Sequence, residues 1–163
     1  MPATPERGQA QPQQQQPRHL GGLSVWDVFA RKRNTIKGGA RPTVAADFYH
    51  RYKDDILLAK ALGFTVFRFS IAWSRVLPEG IGKVNKLGIA FYHNVIDECI
   101  ANGLEPLVTV YHWDLPHALE LQGGWTSRDM VKWFSKYVKL LTEQYGKKVQ
   151  QWIVMNEPFA FTA

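Results

Sequence analysis

The feature that most constrains the fold is a regular alternation between segments with helical periodicity and short apolar segments rich in β-branched and aromatic residues. In the first helical segment Tyr52, Ile56, Ala59 and Leu62 recur at helical spacing and predict a buried stripe, and Gly63 follows as a left-handed stop. The pattern predicts three pairs, each a helix followed by a strand: helices over 43–62, 86–102 and 127–146, and strands over 64–69, 106–111 and 151–155.

Strands that alternate with helices of this length form βαβ units, in which the strands are parallel and the crossovers are right-handed. The last two strands are almost continuously apolar, which indicates a sheet that is covered on both faces or closed into a barrel. The chain is therefore predicted to be α/β. The pattern alone leaves a barrel and an open, doubly wound sheet as alternatives.

The length of 163 residues is enough for one domain with a core. Residues 1–20 are rich in glutamine and proline and predict a disordered tail, because they cannot bury enough apolar surface to offset the entropy of ordering. The folded part is expected over 21–163. The sequence shows neither a secretory leader nor an apolar run long enough to cross a bilayer, and this predicts a cytoplasmic location without a membrane partner.

Charge and cysteine content exclude some classes of function. The formal charge of +6 is modest, and the basic cluster at 31–33 is predicted to be a solvated loop, because no stacked aromatic residues or nucleic-acid-binding motif accompany it. We therefore expect no nucleic-acid partner. Cys99 is the single cysteine and occupies an apolar position of a predicted helix, where it is expected to behave as a small buried hydrophobe.

Polar side chains lie at the carboxyl end of each predicted strand. The first strand carries Arg68, the second is followed by His112 and Trp113, and the third is followed by Asn156 and Glu157. Each has a structural explanation when taken alone, such as a salt bridge, a satisfied core histidine or a helix cap. A parallel α/β fold gathers these ends in one crevice, so together they predict a catalytic site that contains an acid.

The spacing of these residues argues against a bound metal or cofactor. His112, Asp114 and Glu157 are of ligating types, but none lies at a helical i, i+3 or i, i+4 metal spacing. No glycine pair joins a strand to a helix in the order that a phosphate-binding loop requires, and no nucleophile elbow is present. We predict no metal and no cofactor.

The strand ends and the segments around them resemble glycoside hydrolase family 1, the β-glucosidases and their relatives. The resemblance implies a (β/α)8 barrel, of which about three βα units are present, and hydrolysis of β-glycosides with retention of configuration. It rests on six segments in the family's order: YHRYKDD at 49–55, FRFSIAWSRVLP at 67–78, GLEP at 103–106, YHWDLP at 111–116, GGW at 123–125 and NEP at 156–158.

The resemblance also implies a role for each residue at the strand ends. Glu157 matches the family's general acid/base, and Arg68 matches an arginine that contacts the nucleophile. Asn156 matches the residue that binds the sugar 2-hydroxyl. His112 matches a histidine that binds sugar hydroxyls, and Trp113 would line the pocket. The implied partner is a β-glycoside substrate.

The chain departs from the family pattern in two places. The nucleophile motif, a glutamate followed by asparagine and glycine, is absent, and the glutamine-rich tail stands where the family has its opening strand. We therefore expect an N-terminal fragment that is inactive in isolation, because retention needs two carboxylates. Its open sheet edges are expected to allow association. The alternatives are a non-catalytic interaction module and a protein that binds sugar without turnover.

Overall fold

A computed structural model describes residues 21–39 and 45–162, and the predicted disordered tail lies outside these residues. Three parallel strands, β1 (Val66–Ser70), β2 (Glu105–Tyr111) and β3 (Gln151–Met155), form one sheet in the order β1-β2-β3. The helices are, in chain order, α1 (Val25–Arg31), α2 (Phe48–Ala61), α3 (Trp73–Val76), α4 (Lys86–Ala101), α5 (His117–Glu120), α6 (Met130–Tyr145) and α7 (Phe159–Thr162).

The connections follow the predicted βαβ pattern, since α4 lies between β1 and β2 in the chain and α6 lies between β2 and β3. Ser70 of β1 pairs with Thr109 of β2, which in turn pairs with Ile153 of β3. Because the strands are parallel, their carboxyl ends lie at one edge of the sheet.

The main core lies where α4 and α6 cover the sheet. Val95, Ile96 and Cys99 of α4 are fully buried, as are Tyr137 and Leu141 of α6. The prediction that Cys99 is a buried hydrophobe is thus confirmed. Burial raises the pKa of its thiol to about 12.

Tyr137 joins this core to the backbone at the ends of β1 and β2. Its hydroxyl lies 2.9 Å from the carbonyl oxygens of both Ile71 and Val110, and its ring stacks on Trp73 with centroids 4.5 Å apart. The Trp73 indole N–H donates to the carbonyl oxygen of Gly80 at 2.8 Å. A buried phenol with acceptors in place fixes the chain that leaves β1.

Two predicted helix starts were wrong. The first helix was expected from residue 43, but α2 begins at Phe48, because Ala45 and Asp47 have left-handed φ angles of 48° and 54° that a right-handed helix does not contain. Leu62, expected on the buried stripe, follows the end of α2 and is 67% exposed. The third helix was expected from Ser127 but begins three residues later.

The late start of α6 has a local cause. A 3-10 turn occupies Gly124–Thr126, and Ser127, which is extended with ψ 134°, lies before the first helical residue. The hydroxyl of Ser127 instead accepts the backbone N–H of Asp129 at 3.3 Å, and its carbonyl oxygen accepts that of Met130. Ser127 therefore supports the turn before the helix.

The strand predictions were closer. The third strand has the predicted bounds, the second begins one residue early at Glu105, and the first is shifted to Val66–Ser70. Gly63 and Gly103 are left-handed, with φ 83° and 71°. The helix predicted over 86–102 is α4, which ends one residue earlier.

Helix α1 was not predicted, although its sequence contains a capping signal. Ser24 and Asp27 form a capping box, in which the Ser24 backbone N–H donates to the Asp27 carboxylate at 2.8 Å. The segment before α1 also forms an antiparallel bridge between Ser24 and Pro116, and the Val25 N–H donates to Leu115 O. This bridge ties the beginning of the described chain to the loop after β2.

No helix within residues 21–39 and 45–162 combines the length and apolarity that a bilayer span requires.

Candidate active site

Arg68 links the ends of all three strands. It lies on the face of β1 that also carries Ser70, and its Nε donates to Thr109 Oγ1 of β2 at 3.1 Å. Its Nη2 donates to Asn156 Oδ1 at 2.5 Å. Asn156 directly follows β3 and its backbone N–H donates to Tyr111 O at 2.9 Å. The guanidinium and the amide, predicted to share a crevice, are therefore in contact.

Two residues at these strand ends have left-handed backbones. Trp113 has φ 69° and Glu157 has φ 43°, a region that non-glycine residues rarely occupy. The Trp113 indole N–H donates to the carbonyl oxygen of Asn156 at 2.8 Å, and that carbonyl belongs to the peptide group joining Asn156 to Glu157. The two unusual conformations are thus fixed against each other. Backbone strain of this kind is concentrated at functional sites.

The side chains of Glu157 and His112 are exposed at this edge of the sheet. Within the described part of the chain, the Glu157 carboxylate makes no hydrogen bond or ion pair. The His112 ring packs edge-on against Trp113, with centroids 5.7 Å apart. A carboxylate, an imidazole and an indole are therefore available to a molecule that approaches the strand ends.

Asp114 has a structural position that the sequence did not reveal. Its Oδ2 accepts the backbone N–H of Trp73 at 2.9 Å, whereas Oδ1 is shielded from solvent and has no hydrogen-bond partner among the described residues. Burial raises the pKa of Asp114 to about 6, even though the backbone N–H of Trp73, nearby backbone amides and the Arg75 guanidinium all favour its charged form. The carboxyl group is therefore an anchor for the loop after β1.

Arg75 lies in α3, the short helix after β1, and packs against aromatic rings of α2 and α4. Its guanidinium carbon lies 5.0 to 5.8 Å from the ring centroids of Phe91, Tyr49 and Tyr92, in cation–π geometry. The Tyr92 hydroxyl accepts the backbone N–H of Ala72 at 2.8 Å, and burial raises the pKa of Tyr92. Consecutive amides after β1 are thus held by side chains from α4 and from the loop after β2.

The described residues contain no group of three histidine, cysteine or acidic side chains that is arranged to hold a metal ion. His112, Asp114 and Glu157, weighed as ligands from the sequence, do not form such a group. The Asp114 carboxyl instead binds a backbone amide.

Sequence reasoning missed Thr109 as the partner of Arg68 and assigned no role to Asp114. Thr109 is fully buried, and a lone hydroxyl within an apolar strand was a signal that could have identified it. No sequence signal identifies the Trp113 to Asn156 hydrogen bond, because its two residues are separated by 43 positions.

Comparison with known proteins places this arrangement in a family. The model of glycosyl hydrolase family 1 matches residues 20–163. The chain is 46% identical over 138 residues to beta-glucosidase A of Thermotoga maritima, and the match covers 85% of this chain and 31% of that protein. It is 47% identical over 139 residues to beta-glucosidase 4 of Oryza sativa subsp. japonica, covering 84% of this chain and 29% of that protein. The chain thus spans about a third of the length of these relatives.

The fold is similar as well. The solved family 1 b-glucosidase from Thermotoga maritima superimposes with a TM-score of 0.84 at 45% identity, over 86% of this chain and 32% of that one. The same Thermotoga enzyme has been solved with deoxynojirimycin. This likeness resolves the choice between a barrel and an open sheet, and it confirms the prediction of a partial (β/α)8 barrel. Because the family model matches almost the whole chain beyond its glutamine-rich tail, the chain belongs to glycosyl hydrolase family 1.

Proposed function

We propose that these strand ends form the acid/base half of a retaining β-glycosidase, with Glu157 as the general acid/base. The observation that carries the proposal is the peptide group between Asn156 and Glu157. Its carbonyl is held by Trp113, while Glu157 has a strained backbone and an exposed carboxylate. A left-handed glutamate does not stabilise the fold, so a functional need for its carboxylate supports its presence there.

In this reaction Glu157 donates a proton to the glycosidic oxygen as the leaving group departs, and it then removes a proton from the attacking water. The Asn156 carboxamide oxygen is taken by Arg68, so its NH2 group is left to donate to a sugar hydroxyl. His112 can bond further hydroxyls, and the Trp113 ring offers an apolar platform for the sugar. The Arg68 guanidinium orients an anionic nucleophile.

The nucleophile has to come from other residues. In a retaining enzyme it is a second carboxylate about 5 Å from the first. Asp114 is the nearest acid in sequence to these strand ends within residues 45–155, but its carboxyl is buried and bound to Trp73. It is therefore not placed to attack a sugar.

A chimeric enzyme tests the proposal. Residues 21–163 replace the matching segment of Thermotoga maritima beta-glucosidase A, which is 46% identical, and hydrolysis of a nitrophenyl β-glucoside is measured. We expect activity, and a loss of about 100-fold or more in Glu157→Gln because general acid/base catalysis contributes at least this much. The matched control is Glu143→Gln, an exposed glutamate of α6 that should leave the rate unchanged.

The leaving group separates an acid/base role from a structural one. A dinitrophenyl β-glucoside departs without protonation, so Glu157→Gln should slow formation of the glycosyl-enzyme less for this substrate than for a nitrophenyl substrate. Equal losses for both substrates, or full activity of the variant, would contradict the proposed role of Glu157.

The sheet edges favour a second candidate, a module that binds a complementary barrel segment. Within the described residues β1 and β3 each pair with β2 alone. Apolar side chains beside both edge strands are exposed. They include Phe64, just before β1, at 57% and Val154 of β3 at 54%. The chain should form a stable one-to-one complex with the remaining part of Thermotoga maritima beta-glucosidase A, measured by light scattering. Separate elution of the two would exclude this candidate.

A further inference from the structure

We propose that Asp114 is a positioning residue for Glu157. It acts through Trp113, the residue before it, whose indole holds the peptide group that precedes Glu157. The inference rests on the proposed function, because that function makes the placement of Glu157 matter. Hydrogen exchange tests the inference without any sugar or turnover.

The first link joins Asp114 to a fixed point. Its Oδ2 accepts the backbone N–H of Trp73 at 2.9 Å. Trp73 is fully buried, stacks on Tyr137 and donates its indole N–H to Gly80 O. A residue held in this way cannot follow a moving loop, so the bond immobilises the loop after β2.

The second link passes through Trp113. On the N-terminal side of Trp113, the end of β2 is held because Tyr111 O accepts the Asn156 N–H at 2.9 Å. On its C-terminal side, Asp114 is held by Trp73. The left-handed turn at Trp113, with φ 69°, is therefore fixed from both sides, and it directs the indole N–H to Asn156 O. Release of Asp114 would allow Trp113 to relax toward an ordinary backbone and to break this bond.

The charge of Asp114 is poorly explained by stability. A buried carboxylate with one unpartnered oxygen destabilises the folded state, whereas an asparagine could accept the same N–H without a charge. A charge-assisted bond is roughly twice as strong as a neutral one. The carboxylate thus gives a firmer anchor at the expense of stability, a trade that is typical of residues serving a site.

Residue-resolved hydrogen exchange on the full 163-residue chain tests the coupling. In Asp114→Ala we expect the Trp73 amide to exchange about tenfold or more faster, since it loses its acceptor, and the Asn156 amide to accelerate with it. In Trp113→Phe only the Asn156 amide should accelerate. Asp114→Asn, whose oxygen accepts without a charge, should accelerate both amides less than Asp114→Ala does, and Asp129→Ala, which removes an exposed aspartate, should change neither.

The exchange rates distinguish a positioning role of Asp114 from a local role in which it only holds the Trp73 amide. Faster exchange at Trp73 with unchanged exchange at Asn156 in Asp114→Ala would overturn the proposal. So would acceleration of the Trp73 amide in Trp113→Phe that equals that of the Asn156 amide. The amide of Val95, in the buried face of α4, reports global unfolding and should stay unchanged in each variant.

If Asp114→Ala unfolds, pH supplies the decision with the wild-type chain. Burial raises the pKa of Asp114, so an opening that exposes this carboxyl group becomes less favourable as pH falls from 7.5 to 5. The protection of the Trp73 and Asn156 amides should therefore rise together in the wild type but not in Asp114→Asn. Hydrogen-exchange protection of the Trp73 and Asn156 amides that does not change with pH in the wild type would overturn the proposal. A His112→Gln background controls for the imidazole beside it. The other groups facing Asp114 are the Arg75 guanidinium and the phenols of Tyr92, Tyr111 and Tyr137. Burial raises the pKa of each phenol, so all three stay neutral over this range.

Discussion

Replacement of Asp114 by asparagine should alter stability in a way that depends on pH. Burial raises the pKa of Asp114 from 3.8 to about 6, so the folded chain binds a proton that the unfolded chain releases. The wild type therefore loses stability as pH rises from about 4 through about 6, whereas the variant has no such titration. At about 1.4 kcal/mol per pKa unit, the full effect is about 3 kcal/mol.

The variant also has a cost that does not depend on pH. Its NH2 group would occupy the site of Oδ1, which has no partner among the described residues, and an unsatisfied buried donor destabilises by about 1–3 kcal/mol. The robust quantity is therefore the change with pH. We expect the unfolding free energy of Asp114→Asn, relative to wild type, to rise by about 2–3 kcal/mol between pH 4 and pH 7.5.

Urea unfolding followed by circular dichroism at the two pH values measures this quantity, because every other titrating group is common to both proteins. Asp129→Asn is the matched control and should show no such pH dependence, since that side chain is exposed. A relative stability of Asp114→Asn that is the same at both pH values, within about 0.5 kcal/mol, would refute the reasoning.

Four further results are expected. Tyr137→Phe leaves two buried carbonyl oxygens without their hydroxyl partner and should lower the unfolding free energy by about 1–3 kcal/mol in urea titrations; an unchanged midpoint would contradict the contacts described. The Cys99 thiol should react with a disulfide reagent at least about tenfold more slowly in the native chain than in denaturing urea, since it is buried with a pKa of about 12; equal rates would argue against burial. The isolated 163-residue chain should hydrolyse a nitrophenyl β-glucoside no faster than its Glu157→Gln variant, and a clear excess would show that a second carboxylate is available. Val154→Lys should reduce concentration-dependent association in sedimentation, because it places a charge beside the open edge of β3; unchanged association would point to another surface.

The strands and their common edge could be predicted because parallel βα units leave few topologies. Arg68 on β1 and Asn156 directly after β3 are separated by β2, and the long arginine side chain reaches across that strand to make the contact. The roles of Arg68, His112, Trp113, Asn156 and Glu157 in catalysis and sugar binding stay predictions, as do the cytoplasmic location and the absence of a nucleic-acid partner.

Other features depend on contacts between distant parts of the chain. The left-handed backbones of Trp113 and Glu157 arise where two strand ends hold each other, and neither residue type suggests this conformation. The start of α2 was misplaced because the sequence before it has helical periodicity, whereas the left-handed backbone of Asp47 interrupts the helix. Residues of three helices lie around Asp114, namely Trp73 of α3, Tyr92 of α4 and Tyr137 of α6, so its neighbours in sequence gave no sign of its burial.

The strained peptide units also limit how this scaffold can be re-engineered. A procedure that selects residues by backbone compatibility would place glycine or asparagine at positions 113 and 157, and each replacement would relieve about 1–2 kcal/mol of conformational strain. Stabilisation pursued in this way would therefore remove the indole and the carboxylate first. Any search for a more robust variant has to keep these two positions unchanged and look for its gains in the helices.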